Sequence, residues 1–452
     1  MTTKDPENLS SESVKDSINC GSELEEIYDE NSSSKTQKEG IDKDEEVTQV
    51  KELPFFNTLM NLLNCLLGAG ILSVPNSFNS AGIAVSIVFI CFIAVLSYFA
   101  SMINVKLNLK YQCQGFDELV EKIMGKGGSI TYSIIVLFFN FASMLAYLII
   151  GGDTIISWMA FAGIDISHFV YRLIMIFIYS ILIPIPLMIP KNLFFLSIFS
   201  TAAIFMVIFY IVAVIVKTAQ LIPQYGISPT VVVAKIDMSI FSAIGVYALT
   251  FALPCVVIPT LKPFSKDYTK RRNVVLTTFC ICVFLTIFPS ILMYLIFGQY
   301  ADGNILNSFP SNDILFTIVR AGFFIIVSTS FPVLGKASMS NWSQLIYKQN
   351  HPNDLTNGKY FIVLFLSAIF PLVVAMLLPQ CKPAVSVGGA LGGCLVSFMF
   401  PSVLLIISNG DGFKNPINVL CLIFAIFGGA MAVISTYQSI LEAIDAFKSA
   451  PM

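Results

Sequence analysis

Residues 61–76 read NLLNCLLGAGILSVPN, and their interpretation decides the fold. They lie in an apolar segment that begins near Phe55 and is long enough to be membrane-embedded. Yet Gly68-Ala69-Gly70 sits in its middle and Pro75 near its far end. A glycine pair leaves backbone N–H groups able to point at a ligand, and it removes the side chains that would block close approach. In a bilayer, broken helix is tolerated only where protein or a water-filled cavity surrounds it. Half-helix ends of this kind hold a carboxylate and a coupling ion at the membrane midplane in many secondary transporters. The plainer reading, a close-packing notch between helices, stands beside it.

The rest of the chain supplies the setting. Of its 452 residues 56% are hydrophobic and only 12% charged, with 39 Phe and a mean hydropathy of +0.79. Ordinary soluble proteins carry about 25% charged residues. Repeated apolar runs of about 18 residues or more mark a polytopic α-helical membrane protein. Seven of the ten cysteines (Cys65, Cys91, Cys255, Cys280, Cys282, Cys394 and Cys421) fall in apolar spans, where free cysteine behaves as a small hydrophobe rather than as part of a disulfide framework.

Residues 1–52 hold 15 acidic against 6 basic residues and almost no aromatics, a composition that cannot bury enough apolar surface to fold alone. They read as a disordered acidic cytoplasmic tail, without a signal peptide, able to meet a cytosolic partner. Residues 53–441 form the transmembrane domain, and 442–452 a short non-cytoplasmic tail. Eleven spans are expected, at 55–77, 81–104, 129–157, 169–190, 192–217, 238–260, 274–298, 313–334, 359–379, 384–408 and 416–440. With the N-terminus inside, the cytoplasmic loops carry 14 basic residues and the opposite side five: Arg172, Lys217, Lys235, Lys382 and Lys448. Residues 115–124, GFDELVEKIM, place Phe116, Leu119, Val120 and Ile123 on one face of a short interfacial helix.

Span 6 carries the second interruption. Gly245 and Pro254 bracket an expected break, because proline deprives a helix of a hydrogen bond. Spans 1 and 6 are five helices apart, the corresponding position in two five-helix inverted repeats. An ordinary proline kink is the alternative. Intramembrane charges are few, with Asp153 in span 3 and Arg320 in span 8 notable. Asp313 stands seven residues before Arg320 and is expected to pair with it. In Val327-Ser328-Thr329-Ser330-Phe331-Pro332, three hydroxyls precede a proline. Such oxygens suit a small hard cation, or they bond back to helical carbonyls.

These stretches, with NFASMLAYLII at 140–150, PLMIPKNLFFLSIFS at 186–200 and DILFTIVRAGFFIIVSTSFPVLGKAS at 313–338, together resemble the amino acid/auxin permease family. Within it they are most similar to the sodium-coupled neutral amino acid transporters, over about residues 54–437. The resemblance implies an all-α polytopic membrane protein of about eleven transmembrane helices, a LeuT-like 5+5 inverted repeat plus one extra helix. It places the substrate carboxylate on backbone N–H groups of Gly68, Ala69, Gly70 and Ile71, and the amine on carbonyls near Phe251 and Ala252. It puts Tyr147 over the site. A Na+ site falls on Asn64 with Ser328 or Ser330. Two departures qualify it. The family's neutral amino acid members often carry Cys-His and then Glu before the span 6 proline, in places where this chain has Leu253-Pro254 and Val256, so a more apolar pocket is expected. The loop 218–237 is short and lacks cysteine, which leaves Na+ or H+ as the co-transported ion and the plasma membrane or a vacuolar or lysosomal membrane as the location.

The expectation is therefore a secondary active transporter for amino acids, neutral ones foremost, working by alternating access and needing no cofactor beyond its coupling cation. The alternative is an amino acid sensor on an organelle membrane using the same site, with the acidic tail as its signalling contact. An enzyme is not expected. There are no paired catalytic carboxylates, no histidine-rich metal spacing and no nucleophile with a partner base. No filter loop or charged ring suggests a channel, and no nucleic-acid partner is expected.

Overall fold

The computed structural model describes residues 52–68, 70–164, 169–191, 197–349, 351–410 and 412–449. The acidic tail lies outside these residues apart from Glu52, and so does Ala69 of the central motif. The described residues contain no strand. In chain order the helices are α1 (Phe55–Leu66), α2 (Gly70–Tyr111), α3 (Phe116–Phe161), α4 (Phe169–Leu182), α5 (Pro184–Met188), α6 (Ser197–Tyr225) and α7 (Ile240–Thr250). They continue with α8 (Val257–Leu261), α9 (Tyr268–Phe297), α10 (Ile314–Trp342), α11 (Asn357–Leu377), α12 (Cys381–Gly388), α13 (Phe400–Asn409) and α14 (Pro416–Ser449). Residues 442–449, expected as a separate tail, prolong the last helix instead.

Among the described residues nine helices are long and apolar enough to cross a membrane. Of the eleven expected spans, two have no long helix of their own, and they are the two read as interrupted. The first is divided between α1 and the start of α2, and the sixth between α7 and α8. Span 2 shares α2 with the second half of span 1, and Gly82 marks the joint, with φ of +76°. That joint suits glycine twice over. The left-handed region is open to it, and a Cβ there would stand 2.8 Å from the Ala234 amide nitrogen. The extended segment behind it is held by Ile83 N–H on the Val232 carbonyl and Ala84 N–H on that of Val233, at 3.1 and 2.8 Å.

The interfacial helix also forms. Gly125 turns the chain at φ +72° between residues 116–124 and the long remainder of α3. Phe116, Leu119 and Val120 are buried, and the Phe116 ring meets Tyr132 edge-on at 5.1 Å. On the outside of the bundle, Val88, Phe92, Val95 and Phe99 of α2 are 65, 42, 51 and 55% exposed, an apolar stripe that lipid rather than water would cover.

Six ion pairs join described residues. Five of them neutralise the five basic residues expected on the outer side: Arg172–Asp153, Lys217–Asp313, Lys235–Asp237, Lys382–Glu442 and Lys448–Asp445. The sixth is Lys122–Glu118 at the interfacial helix. Asp313 therefore pairs with Lys217, not with Arg320 as expected, and it also caps α10 by accepting from the Phe316 amide at 3.1 Å. Arg320 is 1% exposed and donates to the carbonyls of Leu306, Phe309 and Pro310, at 2.9, 2.7 and 3.4 Å. Charge-assisted bonds of this kind hold the two terminal nitrogens of a buried guanidinium without a carboxylate, while its Nε has no hydrogen-bond partner among the described residues.

Candidate functional site

The helix of span 1 ends at Leu66 and resumes at Gly70. Leu67 leaves helical geometry, with φ −84° and ψ 63°, and the Gly68 amide turns back to the Leu66 carbonyl at 3.0 Å. The first amides of α2, from Gly70 onward, open a helix, and such amides have no acceptor within it. Ile71 is fully buried, and its N–H reaches the Gly68 carbonyl at 3.4 Å.

The two glycines are close-approach positions. A Cβ on Gly68 would stand 3.0 Å from the Tyr147 hydroxyl, and one on Gly70 would stand 2.6 Å from Thr250 Oγ1. The broken first span is thereby brought against α3 on one side and against the end of α7 on the other. Tyr147 in turn has the Ser330 hydroxyl of α10 beside its own. Gly68, Gly70, Tyr147 and Ser330 come together in one place. Thr250, which the sequence did not single out, completes the set. Its Oγ1 donates to the Val246 carbonyl at 2.9 Å, so only its proximity marks it. Asn64 is half-buried on α1, one turn ahead of Gly68.

Span 6 breaks later than expected. Gly245 lies inside the continuous helix α7, not at the break, and makes room for α12 instead. A Cβ there would stand 2.4 Å from the Ser386 carbonyl oxygen. The interruption runs over residues 251–256, where Pro254 has no N–H to offer. Its own carbonyl accepts from Asn104 Nδ2 of α2 at 2.9 Å, which satisfies a polar group that the broken helix leaves in the bundle. Phe251 is fully buried and its ring stacks on Phe279 at 6.3 Å, so its side chain is turned to α9 and only its backbone is left for a ligand. Ala252 is 9% exposed beside it.

The three hydroxyls before Pro332 go three ways. Ser328 Oγ shares a hydrogen bond of 2.9 Å with the Tyr179 hydroxyl of α4. Thr329 donates back to the Ile325 carbonyl at 2.8 Å, the usual fate of such a residue in a helix. Ser330 alone lies beside Tyr147. Periodicity could not separate them, since residues 328 and 330 differ by about 200° around a helix. Asn140, two turns before Tyr147 on α3, is another residue the sequence did not mark. It is 3% exposed, and its Nδ2 has no hydrogen-bond partner among the described residues.

The two halves of span 1 differ in exposure. On α1 the exposed polar residues Asn57, Asn61 and Cys65 recur every fourth position and lead up to half-buried Gly68. Cys65 Sγ lies 3.8 Å from Thr260 Oγ1, beside α8. Beyond the break, by contrast, residues 70–82 are all buried except half-buried Asn76 and Asn79. A strap of residues 299–303 lies along that half. Asn79 Nδ2 donates to the Gln299 carbonyl at 3.3 Å, Asn76 Nδ2 to that of Ala301, and Ser73 Oγ to that of Gly303 at 2.8 Å. The bonds of Arg320 to residues 306, 309 and 310 hold the next part of the strap.

Residues 52–441 match the family model described as "Transmembrane amino acid transporter protein". The chain is 26% identical over 385 residues to the sodium-coupled neutral amino acid transporter 7 of Danio rerio, covering 79% of this chain and 80% of that protein. It is 27% identical over 413 residues to the vacuolar amino acid transporter 2 of Saccharomyces cerevisiae, covering 85% and 83%. Among solved structures, a Na+-coupled sialic acid symporter in a substrate-bound outward-open state superposes with a TM-score of 0.51. That match spans 88% of this chain and 90% of the other at 14% identity, and it speaks for the fold. The LeuT-like arrangement implied by the sequence accordingly holds.

Proposed function

Because the chain belongs to the transmembrane amino acid transporter family, whose members are transporters rather than enzymes, we propose that it is a cation-coupled secondary active transporter of neutral amino acids. The observation that carries the proposal is the meeting of the two helix breaks. Gly70 in span 1 lies against Thr250 at the end of α7, with Tyr147 across Gly68. Substrate carboxylate binds at the amides of Gly68, Ala69, Gly70 and Ile71, where a helix start favours negative charge, those of Gly68 and Ile71 giving up their bonds to the Leu66 and Gly68 carbonyls. The amine faces carbonyls at Phe251 and Ala252. Leu253 and Val256 offer a substrate side chain no ionic partner, which favours a neutral one.

Na+ or H+ travels with the substrate. For Na+, neutral oxygens of Asn64 and Ser330 suit a hard cation. Ser330 is preferred to Ser328, whose hydroxyl is engaged by Tyr179 on another helix. A cation near the substrate carboxylate strengthens binding of both, and by linkage each ligand raises the affinity of the other by the same factor.

The exposed stripe on α1 and the buried residues 70–82 correspond to an arrangement open towards the N-terminal side and closed on the other. The excess of lysine and arginine in the loops on the N-terminal side, 14 against five, favours the orientation with the N-terminus in the cytoplasm. Transport requires the strap at 299–303 to leave span 1 when the inner side closes, the rocking movement of inverted-repeat carriers.

The test is uptake of labelled amino acids into proteoliposomes under an imposed Na+ gradient or an imposed pH gradient. Accumulation driven by either supports transport and names the ion. Binding without accumulation under either gradient would overturn it in favour of a sensor.

A further inference from the structure

Two lysines converge on one tyrosine at the inner end of the bundle. Lys336 of α10 lies 4.8 Å from the Tyr360 ring centroid, and Lys191, just past α5, lies 5.6 Å from it. Tyr360 is 3% exposed at the start of α11. Its hydroxyl donates to the Ile189 carbonyl at 3.0 Å and accepts from Lys336 Nζ. Lys191 Nζ has the Asn353 carbonyl at 3.3 Å. Each ammonium carries three donors, so several remain unspent. No carboxylate forms an ion pair with either lysine among the described residues. Like charges held this close repel each other. One aromatic ring offers a cation only about 0.5–2 kcal/mol of attraction, which does not neutralise two.

The surroundings define the missing partner. Ile189 is 44% exposed, and Phe361 and Phe365, one turn apart on α11, are 53 and 60% exposed. The Phe361 ring stands edge-on to Tyr360 at 6.0 Å. An unneutralised basic pair therefore adjoins a lipid-facing apolar surface. A soluble anion would use the first feature and not the second, whereas an acidic phospholipid uses both. Anionic lipids are enriched in the cytoplasmic leaflet, the side to which the lysine-rich loops belong. We propose that Lys191 and Lys336, held in place by Tyr360, bind the phosphate headgroup of an acidic phospholipid, whose acyl chains lie over Ile189, Phe361 and Phe365. The lipid braces the junction of α5, α10 and α11.

The experiment is native mass spectrometry of the full chain released from vesicles of phosphatidylcholine with or without phosphatidylinositol. Its readout is retained lipid, so it stands or falls independently of which amino acid or ion is carried. One retained phosphatidylinositol is expected. Lys191→Gln and Lys336→Gln should each lower its retention about fivefold, the contribution of one basic residue near an anionic surface. Lys336→Arg should keep it, and Lys359→Gln, beside Tyr347 instead, should leave it unchanged. Lys191 is exposed, so its variant should fold whatever becomes of Lys336 variants. Equal retention of phosphatidylcholine, or retention indifferent to Lys191→Gln, would overturn the site. Displacement of the lipid by inorganic phosphate at comparable concentration would show a free-phosphate site instead and overturn the lipid assignment.

Discussion

Gly70 and Thr250 lie so close together that a Cβ on the glycine would stand 2.6 Å from the threonine Oγ1 and 3.2 Å from its Cα. The second atom is backbone and cannot swing away. This pair ties the resumption of helix in span 1 to the end of helix in span 6, so both breaks open onto the same volume.

Gly70→Val should abolish uptake, since its branched side chain overfills the contact and the substrate approach together. Overpacking of this order costs about 1–3 kcal/mol, which an otherwise intact bundle should survive. The check is uptake beside membrane yield and thermal stability. Gly70→Ala with Thr250→Ala should recover part of the activity, because the hydroxyl is removed while the backbone of residue 250 stays where it was. Normal uptake by Gly70→Val would remove this volume from the transport path.

The two serine hydroxyls of α10 should separate by phenotype. Ser330→Ala and Asn64→Ala should raise the half-saturating cation concentration severalfold, with little change in substrate selectivity. Tyr147→Phe, which removes the hydroxyl standing beside Gly68 and Ser330, should weaken substrate binding about fivefold, in keeping with about 1 kcal/mol for one hydrogen bond to the ligand. Ser328→Ala should lower the melting temperature through loss of its Tyr179 bond and leave cation dependence unchanged. Uptake titrations in Na+ and in pH, set beside thermal melts, distinguish these outcomes. An unchanged cation dependence in Ser330→Ala would remove it from the ion site.

Arg320→Gln should loosen the strap. The arginine holds three carbonyls at residues 306, 309 and 310, and glutamine cannot reach all three as a charged donor. Hydrogen exchange over residues 298–313 should accelerate at least tenfold relative to the helices around it. Equal protection would mean that the bonds from Ser73, Asn76 and Asn79 suffice.

Closure of the same strap should depend on pH. Asp302 is half-buried, and its carboxyl is pushed up to about 6. Burial is the chief cause and the nearby Asp153 carboxylate adds to it, against the Asn304 amide, the Asn307 side chain and the Arg172 guanidinium. The Cys381 thiol also approaches, through the Gly303 carbonyl at 3.1 Å. Lifting the strap would return Asp302 to water and to the ordinary carboxylate range. The closed form thus holds the proton more tightly, and acid favours closure. Between pH 7 and pH 5 the closing equilibrium should rise about tenfold. Protection factors for 298–313, each normalised to the denatured peptide at the same pH, measure this. Asp302→Asn should be protected at both pH values, and persistence of the pH dependence in that variant would assign it to another group.

Gly82→Ala should destabilise the protein by roughly 1–2 kcal/mol or more, since the left-handed backbone alone costs an L-residue about that much. A Cβ would also meet Ala234 N at 2.8 Å. A fall in melting temperature without a change in substrate affinity is expected.

Much of this arrangement could be read from composition and punctuation. A chain with 12% charged residues must satisfy its backbone inside helices if it enters lipid, and Gly68-Ala69-Gly70 and Pro254 announce where helix cannot continue. Partner choice could not be read in the same way. Asp313 and Arg320 share a helix face by spacing, yet Lys217 approaches from α6 and the strap offers carbonyls to the arginine. Gly245 looks like a helix breaker in one dimension, while in three it is the hollow that admits Ser386.

Residue order alone is enough to establish a helical membrane protein with two interrupted spans five helices apart, because apolar run length and missing backbone donors are local properties. Folding in three dimensions settles which hydroxyl faces the breaks, which carboxylate answers which cation, and which half of span 1 is sealed. Those outcomes depend on groups brought together from distant parts of the chain, as Thr250 is to Gly70, and no local pattern specifies them.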